Sequence, residues 1–406
     1  MSNARGPVFV ALLAAFVLAA GPRLAAADTD QAVPPSSQPA AAAAPASPAA
    51  PPPAATTAPA AKPDAAVPAP TRLAAGPEKG YFVPGLLLQG WFQLDRYTGG
   101  DAAAVKDYTA STFRLRRAEI SAKGEIVKAR VAYGVMIDPA KVLEPLSKTY
   151  TTAAGDTVSV PTAPKAISIL QDFWISVLTE YADLALGQFK VPVSWEGLSS
   201  SSALLFPERA PVAQKWGDKR DLGIKVTKSF KYVGYYLGLF NGQQLNNLDS
   251  NNSKDIAARL EAYPIKGLTV AGVVYNEIKE SSTVYKKRRY EADLRLELAG
   301  FLFQGEFIYG VDQAPTDAAA KKGQGFYTAL AYAFLGGRLQ PVVRFGLLDP
   351  DLDKGKNYAL HYEVGLNCFL AKNHAKLQLA YGRFQETSES GKKSTNDIIL
   401  AVQAHF

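Results

Sequence analysis

From Tyr81 to the C-terminus, apolar and polar residues alternate one by one through most of the chain. The segment YEADLRLELA at 290–299 is typical, because Tyr290 and the leucines share one face whereas Glu291 and Arg295 lie on the other. Successive side chains of a β-strand point to opposite faces, so this period of two predicts strands that are apolar on one side and polar on the other. No helical period interrupts the pattern, and we therefore expect an all-β fold.

The alternation recurs in about sixteen segments, and an even number is typical of a single-chain bacterial membrane barrel. The predicted strands span 85–97, 111–123, 127–138, 166–179, 183–191, 220–230, 234–240, 255–263, 268–278, 288–298, 302–310, 325–334, 338–347, 357–370, 374–385 and 396–406. The last of them alternates up to its final residue. Because free terminal strands fray, this favours a closed barrel in which the last strand pairs with the first.

The connections between these strands alternate in length. Those after even-numbered strands have about three or four residues, such as 335–337 and 371–373, as barrel turns do. The connections after odd-numbered strands are long, at 98–110, 139–165, 192–219, 241–254, 279–287, 311–324, 348–356 and 386–395. All long loops then emerge at one end, which predicts a transmembrane antiparallel β-barrel with short periplasmic turns and long outer loops.

Aromatic residues support this orientation, because many of them stand beside the short turns. They are Tyr181, Tyr232, Tyr263, Phe301, Phe334, Phe369 and Phe406. Spread around a cylinder, such residues form a girdle at the membrane–water interface. An aromatic residue at the end of the last strand also resembles the recognition signal of outer-membrane proteins. We therefore expect the chain in the bacterial outer membrane.

The N-terminal region predicts export from the cytoplasm. Residues 1–27 have a basic start at Arg5, a short apolar core and an Ala-Ala-Ala cleavage site at 25–27, as in a secretory signal peptide. Residues 28–80 are rich in Ala and Pro and have almost no large apolar side chain. We expect them to be a disordered periplasmic linker that could contact the cell wall. The barrel domain is expected over 81–406.

Composition and motif spacing argue against several other classes of protein. The chain has 44 Lys and Arg, 37 Asp and Glu, 3 His and 1 Cys. A single Cys forms neither an internal disulfide framework nor a cysteine-based zinc site, and the scattered His residues lack metal-ligand spacing. No basic run indicates nucleic acid, and no nucleophile or P-loop motif indicates an enzyme. We expect no cofactor, no metal and no nucleic-acid partner.

Two loop segments have alternating oxygen-bearing side chains, as calcium loops do at their start. They are DSNNSKD at 249–255 and DPDLDKG at 349–355. Leu260 and Leu360 stand where a calcium loop would need a glutamate, and Asp and Asn are common turn formers. We therefore interpret both segments as turns.

Charged residues on the polar faces would line the lumen, because the outward faces contact lipid. The expected inward cations are Arg114, Arg116, Lys123, Lys128, Arg130, Lys225, Arg259, Arg295, Arg344 and Lys376. The expected inward anions are Glu119, Asp172, Glu261, Glu291, Asp293, Glu297, Glu306 and Glu363. Opposite charges on neighbouring strands can pair and brace the wall, or they can act on permeating ions. The sequence leaves both roles open.

Five stretches, taken together, resemble the phosphate-selective porin family, the porins O and P. They are FRLRRAEISAKGEI at 113–126, LQDFWISV at 170–177, LGQFKVPVSWEGLSSSSALLFPERAP at 186–211, KRDLGIKV at 219–226 and YYLGLFNG at 235–242. They contain a pair of arginines, a Gly-Gln-Phe-Lys-x-Pro motif and a Glu-Arg pair. The resemblance implies a sixteen-stranded, homotrimeric outer-membrane channel for anions. It also implies that one long loop, by position 192–219, folds inward and narrows the pore.

Basic residues outnumber acidic ones in and around this expected inward loop. The acidic residues are Glu196, Glu208 and Asp218. In a narrow passage of low dielectric constant, even a small excess of positive charge concentrates anions. The predicted constriction and anion-binding residues are Lys190, Arg209, Lys215, Lys219 and Arg220, supported by the wall residues Arg116 and Arg130. Trp195 and Trp216 are expected to pin the loop to the wall.

The sequence thus predicts a passive outer-membrane porin that prefers small anions, phosphate or another oxyanion among them. Two alternatives remain open. A barrel with a closed pore, tethered through 28–80, would be a structural anchor between the membrane and the cell wall. A barrel enzyme would need a reactive cluster near its outer rim, and the 3 His residues provide little for one.

Overall fold

The computed structural model describes residues 72–75, 80–98, 108–143, 147–151, 157–161, 169–278, 286–313, 319–388 and 391–406. Sixteen strands of these ranges form the wall of the barrel. They are β1 (Gly80–Thr98), β2 (Tyr108–Val127), β3 (Val131–Ile137), β4 (Leu170–Val177), β5 (Asp183–Lys190), β6 (Arg220–Ser229), β7 (Val233–Phe240), β8 (Asp255–Ala262), β9 (Leu268–Glu277), β10 (Lys286–Leu298), β11 (Phe301–Gln313), β12 (Lys321–Tyr332), β13 (Leu339–Asp349), β14 (Tyr358–Ala371), β15 (Ala375–Ser388) and β16 (Gly391–His405). Each of them corresponds to one strand predicted from the alternation.

The sheet of sixteen strands closes on itself. Every strand pairs antiparallel with the next one along the chain, and β16 pairs with β1. The closing register ends with His405 opposite Leu87, and the backbone N–H of Phe406 then donates to the carbonyl of Leu86 at 3.0 Å. The prediction of an all-β, sixteen-stranded antiparallel barrel is confirmed. Such a barrel satisfies every backbone group of its wall internally, as a membrane requires.

The apolar face of the strands points outward and the polar face points into the lumen, as the alternation predicts. On β10, Tyr290 and Leu298 are 46% and 64% exposed, whereas Glu291 and Asp293 are buried. Val364 on β14 is likewise 52% exposed. Outward residues of this kind recur around the wall and form the band that contacts the hydrocarbon core of the membrane.

Short turns and long loops lie at opposite ends of the barrel, but several strands continue further at the long-loop end than the alternation predicts. β15 ends at Ser388, and Ser388 pairs with Gly391 on β16, so most of the predicted loop 386–395 is strand. β11 and β12 likewise extend into the predicted loop 311–324. These extensions are mostly polar on both faces, which removes the apolar signal although backbone pairing continues.

The aromatic residues beside the short turns mark the periplasmic edge of the apolar band. Most of them have side chains between 48% and 66% exposed: Tyr181, Tyr232, Phe301, Phe334 and Phe406. Tyr263 and Phe369 are half-buried. The exposed rings lie where the girdle was predicted, at one end of the barrel.

Few described residues outside the wall form regular structure. Leu73–Ala75 pairs with the first residues of β1, and Ser147–Thr151 pairs with Thr157–Pro161 in the loop between β3 and β4. Short helical turns cover Pro139–Leu143, Trp195–Leu198, Ser201–Ala203, Ala213–Gly217 and Leu335–Gly337. Among the described helices, none is long and apolar enough to cross a membrane. The predicted signal peptide 1–27 and most of the predicted linker 28–80 lie outside the described residues.

Candidate functional site

The loop between β5 and β6, residues 191–219, lies inside the lumen, and we call it the inward loop. Its first helical turn is capped by Ser194, whose hydroxyl accepts a hydrogen bond from the N–H of Gly197 at 2.9 Å. Its apolar side chains pack on the inner surface of the wall, where Phe206, Leu302 and Tyr327 are all nearly inaccessible to solvent. Burial of these apolar side chains contributes a favourable free energy that keeps the loop inside the lumen and away from the mouth of the barrel.

Glu196 attaches the inward loop to β11 and β13. Its carboxylate accepts hydrogen bonds from the N–H of Ala210 at 2.7 Å and from the guanidinium of Arg344 at 3.2 Å. Ser194 next to it donates to Glu306 at 2.6 Å. Burial raises the pKa of Glu196 above its ordinary value, although the charge of Arg344 acts in the opposite direction.

Glu208 attaches the same loop to β2. Its two carboxylate oxygens pair with Arg116 at 2.6 Å and with Arg117 at 2.9 Å. Burial alone would raise the pKa of Glu208, but the charges of these two arginines and of Arg209 lower the pKa to about 2. The Arg-Arg pair and the Glu-Arg pair that carried the family resemblance thus meet in the lumen.

Backbone carbonyls of the inward loop accept hydrogen bonds from polar side chains on four further strands. Gln89 on β1 and Gln403 on β16 donate to the carbonyls of Ser201 and Ser202, at 3.2 and 3.1 Å. The remaining contacts are Asn367 on β14 to Leu205 and Lys376 on β15 to Leu204. The inward loop therefore crosses the lumen and is fastened on several sides, so it narrows the passage as predicted.

Two of the predicted constriction cations, one at the end of β5 and one in the inward loop, hold this loop together. The ammonium group of Lys190 donates to the carbonyl of Ser199 at 2.7 Å. Arg209 is 3% exposed, pairs with Asp218 at 3.2 Å and donates to the carbonyl of Glu196 at 2.7 Å. Despite burial, which acts to raise it, the charges of Arg209 and Lys190 lower the pKa of Asp218. Both cations therefore brace the loop.

Trp216 fixes the far end of the inward loop to the wall, as predicted. Its indole lies against the inward faces of Gly310 and Gly323, where a Cβ atom would approach the ring to 2.8 Å. The indole N–H donates to Asp312 at 3.4 Å. Trp195 at the near end is only partly buried, and the guanidinium of Arg295 lies 5.5 Å from the centre of its ring.

A cavity of about 600 Å³ lies on the long-loop side of the inward loop, and we call it the basic basin. Its charged lining residues are Lys215, Lys219, Arg220, Lys287 and Arg289 against Asp221 and Asp312. Arg289 pairs with Asp312 at 2.5 Å, and Arg220 pairs with Asp172 at 2.9 Å. Within the described ranges, Lys215 and Lys219 have no carboxylate partner. Burial lowers the pKa of Lys219. The basin thus has an excess of positive charge.

A second cavity, of about 280 Å³, lies beside β1, β2, β15 and β16. The guanidinium groups of Arg114 and Arg116 lie 5.6 and 5.7 Å from the centre of the Trp91 ring. Glu208 and Asp397 also line this cavity. Acidic and basic groups therefore face each other here, so the charge excess of the basin does not extend to it.

Many inward charges of the wall pair with each other, which supports the bracing role. Arg344 and Glu363 form a bidentate pair at 2.5 and 2.7 Å. Arg259 pairs with Asp293 at 2.6 Å, and all these side chains are largely buried. Wall charges of this kind neutralise each other and leave little net field for a permeating ion.

The structure separates the seven predicted site residues into four groups. Lys215, Lys219 and Arg220 line the basic basin, Arg116 lines the second cavity, and Lys190 and Arg209 brace the loop. Arg130 lies in the exposed turn 128–130 at the periplasmic end, away from the inward loop, and Lys128 lies in the same turn. The alternation of inward and outward side chains holds only within the strands on either side of this turn. It therefore does not predict where Lys128 and Arg130 point.

Two basic residues of the basin, one lysine and one arginine, were not among the predicted site residues. Lys287 and Arg289 lie at the outer end of β10, in the sequence KKRR. Both stand at even spacing from Glu291 and Asp293, which the alternation had placed inward. Extending that alternation by two more steps along β10 would have found them.

The described residues offer no arrangement of His, Cys, Asp and Glu side chains that could hold a metal ion. In the segment 249–255, Asp249 accepts a hydrogen bond from the N–H of Asn251 at 2.9 Å and pairs with Lys254. In the segment 349–355, Asp349 accepts a hydrogen bond from the N–H of Asp351 at 3.2 Å. Both segments have the local side-chain-to-backbone bonds of turns.

Comparison with known proteins agrees with this architecture. A sequence model of the family described as "Phosphate-selective porin O and P" matches residues 90–289, which include the whole inward loop. No curated protein matches the chain. The fold is similar to that of the outer membrane channel DcaP of Acinetobacter baumannii, at 10% identity and a TM-score of 0.54, covering 80% of this chain and 97% of that one.

Two structures of OmpT of Vibrio cholerae are also similar in fold. The outer-membrane expressed form has 10% identity and a TM-score of 0.53, with 82% of this chain and 100% of that chain covered. The in-vitro folded form, described as a trimer, has 8% identity and a TM-score of 0.52, with 80% and 99% covered. The resemblance predicted from sequence is confirmed over residues 90–289, and the chain has the fold of outer-membrane β-barrel channels and is similar to the phosphate-selective porin O and P family.

Proposed function

We propose that the chain is a passive diffusion channel with a preference for small anions, and that it has no enzymatic activity. The basic basin carries this proposal. Five Lys and Arg side chains but only two Asp side chains line it. One of these acids, Asp312, pairs with Arg289. A cation-lined chamber of low dielectric constant before a constriction raises the local concentration of anions.

The charge of the basin is set by three lysines. Lys215, in the last helical turn of the inward loop, lies with its ammonium 5.5 Å from the centre of the Trp216 ring. The ammonium groups of Lys219 and Lys287 donate to the backbone carbonyls of Gln214 and Gly242, at 3.1 and 2.8 Å. A bond to a carbonyl orients an ammonium group without neutralising it, and no described carboxylate pairs with Lys215 or Lys219, so these two positive charges remain available to anions.

Phosphate or another oxyanion is the proposed preferred solute. Arginine presents a planar fork that fits two oxygens of an oxyanion, and lysine acts as a point charge. Lys215 and Lys219 lie in the same basin as Arg220 and Arg289. A tetrahedral oxyanion has enough oxygens to engage several of these groups at once, whereas chloride has a single centre of charge.

We further propose that the chain forms a homotrimer in the outer membrane, since OmpT of Vibrio cholerae is described in a trimer form. Native mass spectrometry of the detergent-extracted chain gives the number of subunits, and a monomer as the only species contradicts the trimer.

Residues 28–80 are proposed to be a periplasmic linker with contact to the cell wall.

Reversal potentials in a planar bilayer test the anion preference. In a KCl gradient, the reversal potential of the parent channel should lie between zero and the equilibrium potential of chloride. Replacing Lys215, Lys219 and Lys287 together by Glu should move the reversal potential toward that of potassium, because the basin then becomes acidic. The change should be larger at 0.01 M than at 1 M salt, where the Debye length falls from about 30 to about 3 Å.

A matched control makes the same change of charge at the other end of the barrel. Lys128, Arg130 and Lys372 are exposed in the turns at the periplasmic end, and replacing them by Glu should have a much smaller effect. An unchanged reversal potential in the basin variant would contradict the assignment of the basin. A parent chain that inserts but never conducts would favour the structural anchor with a closed pore.

A further inference from the structure

Basic side chains also project from the outside of the barrel at its outer end, away from the lumen. On β10, Lys286 and Arg288 stand at even spacing from Tyr290, which is 46% exposed on the outward face. On β12, Lys322 stands at even spacing from Leu330, which is 44% exposed on the same face. Successive residues of a strand point to opposite faces, so these three cations face the membrane side of the wall.

The register of the strands brings the three cations into one cluster. Arg288 on β10 is opposite Val311 on β11, and Val311 is opposite Lys322 on β12. Neighbouring strands lie about 4.8 Å apart, so the Cα atoms of Arg288 and Lys322 are separated by about 10 Å. Lys286 lies two residues further along β10, roughly 7 Å from Arg288. We call these three residues the outer-rim cluster.

An aromatic pair and an apolar surface lie directly below the outer-rim cluster. Tyr290 and Tyr309 are cross-strand partners whose ring centres are 6.3 Å apart. Leucine, valine and phenylalanine side chains follow on the same face toward the middle of the membrane, including Leu294 and Phe307. Aromatic residues at barrel interfaces lie at the level of the lipid headgroups. The cluster is therefore at or just above headgroup height.

We propose that the outer-rim cluster binds the phosphate group of an anionic lipid in the outer leaflet. Arginine and lysine at this height can pair with a phosphate while the acyl chains of the lipid cover the apolar surface below Tyr290 and Tyr309. The wall separates this cluster from the basic basin. Lys287 and Arg289, between the cluster residues in sequence, point to the opposite face and line the basin.

The neighbouring strand shows why the cluster has its limit at β10. Lys254, just before β8, also lies on the outward face, but it pairs with Asp249 of the adjoining loop. Asn276 on β9 is opposite Arg288 and has no charge. On this side of the cluster, the described residues of β8 and β9 therefore add no further outward cation to the three residues on β10 and β12.

Lipid retention by the refolded full chain tests this proposal. The chain is exposed to mixed micelles that contain equal amounts of phosphatidic acid and phosphatidylcholine, and the lipids that stay bound are counted by native mass spectrometry. The parent should retain phosphatidic acid roughly tenfold better than phosphatidylcholine, because several basic residues act on one phosphate. The triple variant Lys286→Gln, Arg288→Gln and Lys322→Gln should lose this preference.

Two further variants keep the test decisive. Neutralising Lys128, Arg130 and Lys372 to Gln at the periplasmic end should leave the preference unchanged. If the triple variant does not fold, the double variant Lys286→Gln and Lys322→Gln should show an intermediate preference. Equal retention of phosphatidic acid by the parent and the folded variant overturns the proposal. So does complete displacement of the lipid by inorganic phosphate, which would indicate a site for a free anion.

Discussion

Glu196 and Glu208 show at the level of single residues how the inward loop is attached to the wall. Glu196 meets Arg344 on β13, and Glu208 meets Arg116 and Arg117 on β2. Both carboxylates are largely buried, and an unpaired charge at either position would cost more than its pair contributes. Loss of one partner should therefore loosen the loop instead of merely weakening one contact.

The pKa of Glu208 predicts how the attachment responds to acid. Its value in the folded chain is lowered to about 2, so its contribution is present above the ordinary glutamate range and is lost only as the pH falls through about 2. Glu208→Gln should weaken the attachment by roughly 2 kcal/mol at neutral pH, because it leaves buried arginine donors partly unsatisfied. Single-channel recordings should show much more current noise in this variant.

The control for Glu208 is an exposed glutamate in a periplasmic turn. Glu180→Gln should leave the noise unchanged, because the side chain lies away from the inward loop. The depressed pKa keeps Glu208 charged from pH 7 down to about pH 4, whereas acid reaches Glu196 first because its pKa is raised, so the two channels are compared at pH 7. Equal current noise in Glu208→Gln and the parent at that pH would contradict this assignment.

The two faces of each strand have different surroundings, lipid on the outward face and the lumen on the inward face, so a charged residue has a different energetic cost on each. An arginine on the outward face near the middle of the membrane must be placed in hydrocarbon, which costs about 2–4 kcal/mol. Val364→Arg on β14 should therefore destabilise the barrel by this amount, measured by urea unfolding of the chain refolded into lipid vesicles. Gln93→Arg on the lumenal face of β1, beside Asp95, should cost far less.

Glu363 is a poor choice for the lumenal control, although the alternation places it inward. It forms a bidentate pair with Arg344, which also holds Glu196 of the inward loop. Replacing it would leave a buried arginine partly unpaired. Similar losses of stability for Val364→Arg and Gln93→Arg would show that the faces are assigned incorrectly.

Closure is a property of the whole molecule and predicts unusual resistance to unfolding. The pairing of β16 with β1 removes both free edges of the sheet. The refolded chain should migrate faster in gel electrophoresis without heating than after boiling, and its wall should resist trypsin. A chain shortened after Ser394 lacks most of β16 and should lose both properties. Equal mobility of the full chain before and after boiling would contradict a closed barrel in solution.

Alternation along the sequence was enough to determine the wall of this protein. Because side chains of a strand point alternately to its two faces, the period of two located all sixteen strands and assigned most of their outward and inward positions. It placed Lys128 and Arg130 in the lumen, but both lie in an exposed turn. Loop lengths then indicated which end carries the long loops. The outer parts of β15 and β16 escaped this reasoning, since polar residues on both faces give no periodic signal although the backbone still pairs.

The roles of the lumenal charges were decided only by the tertiary structure. Lys190, Arg209 and Lys215 are alike in sequence, yet the first two donate to groups of the inward loop and the third lines the basin. Which of them meets a carboxylate, a carbonyl or open space depends on how a loop of 191–219 crosses the lumen. Such contacts join residues far apart in the chain, and no local pattern encodes them. The sequence by itself determined the barrel, and the path of one loop through it decided which charges remain for a permeating ion.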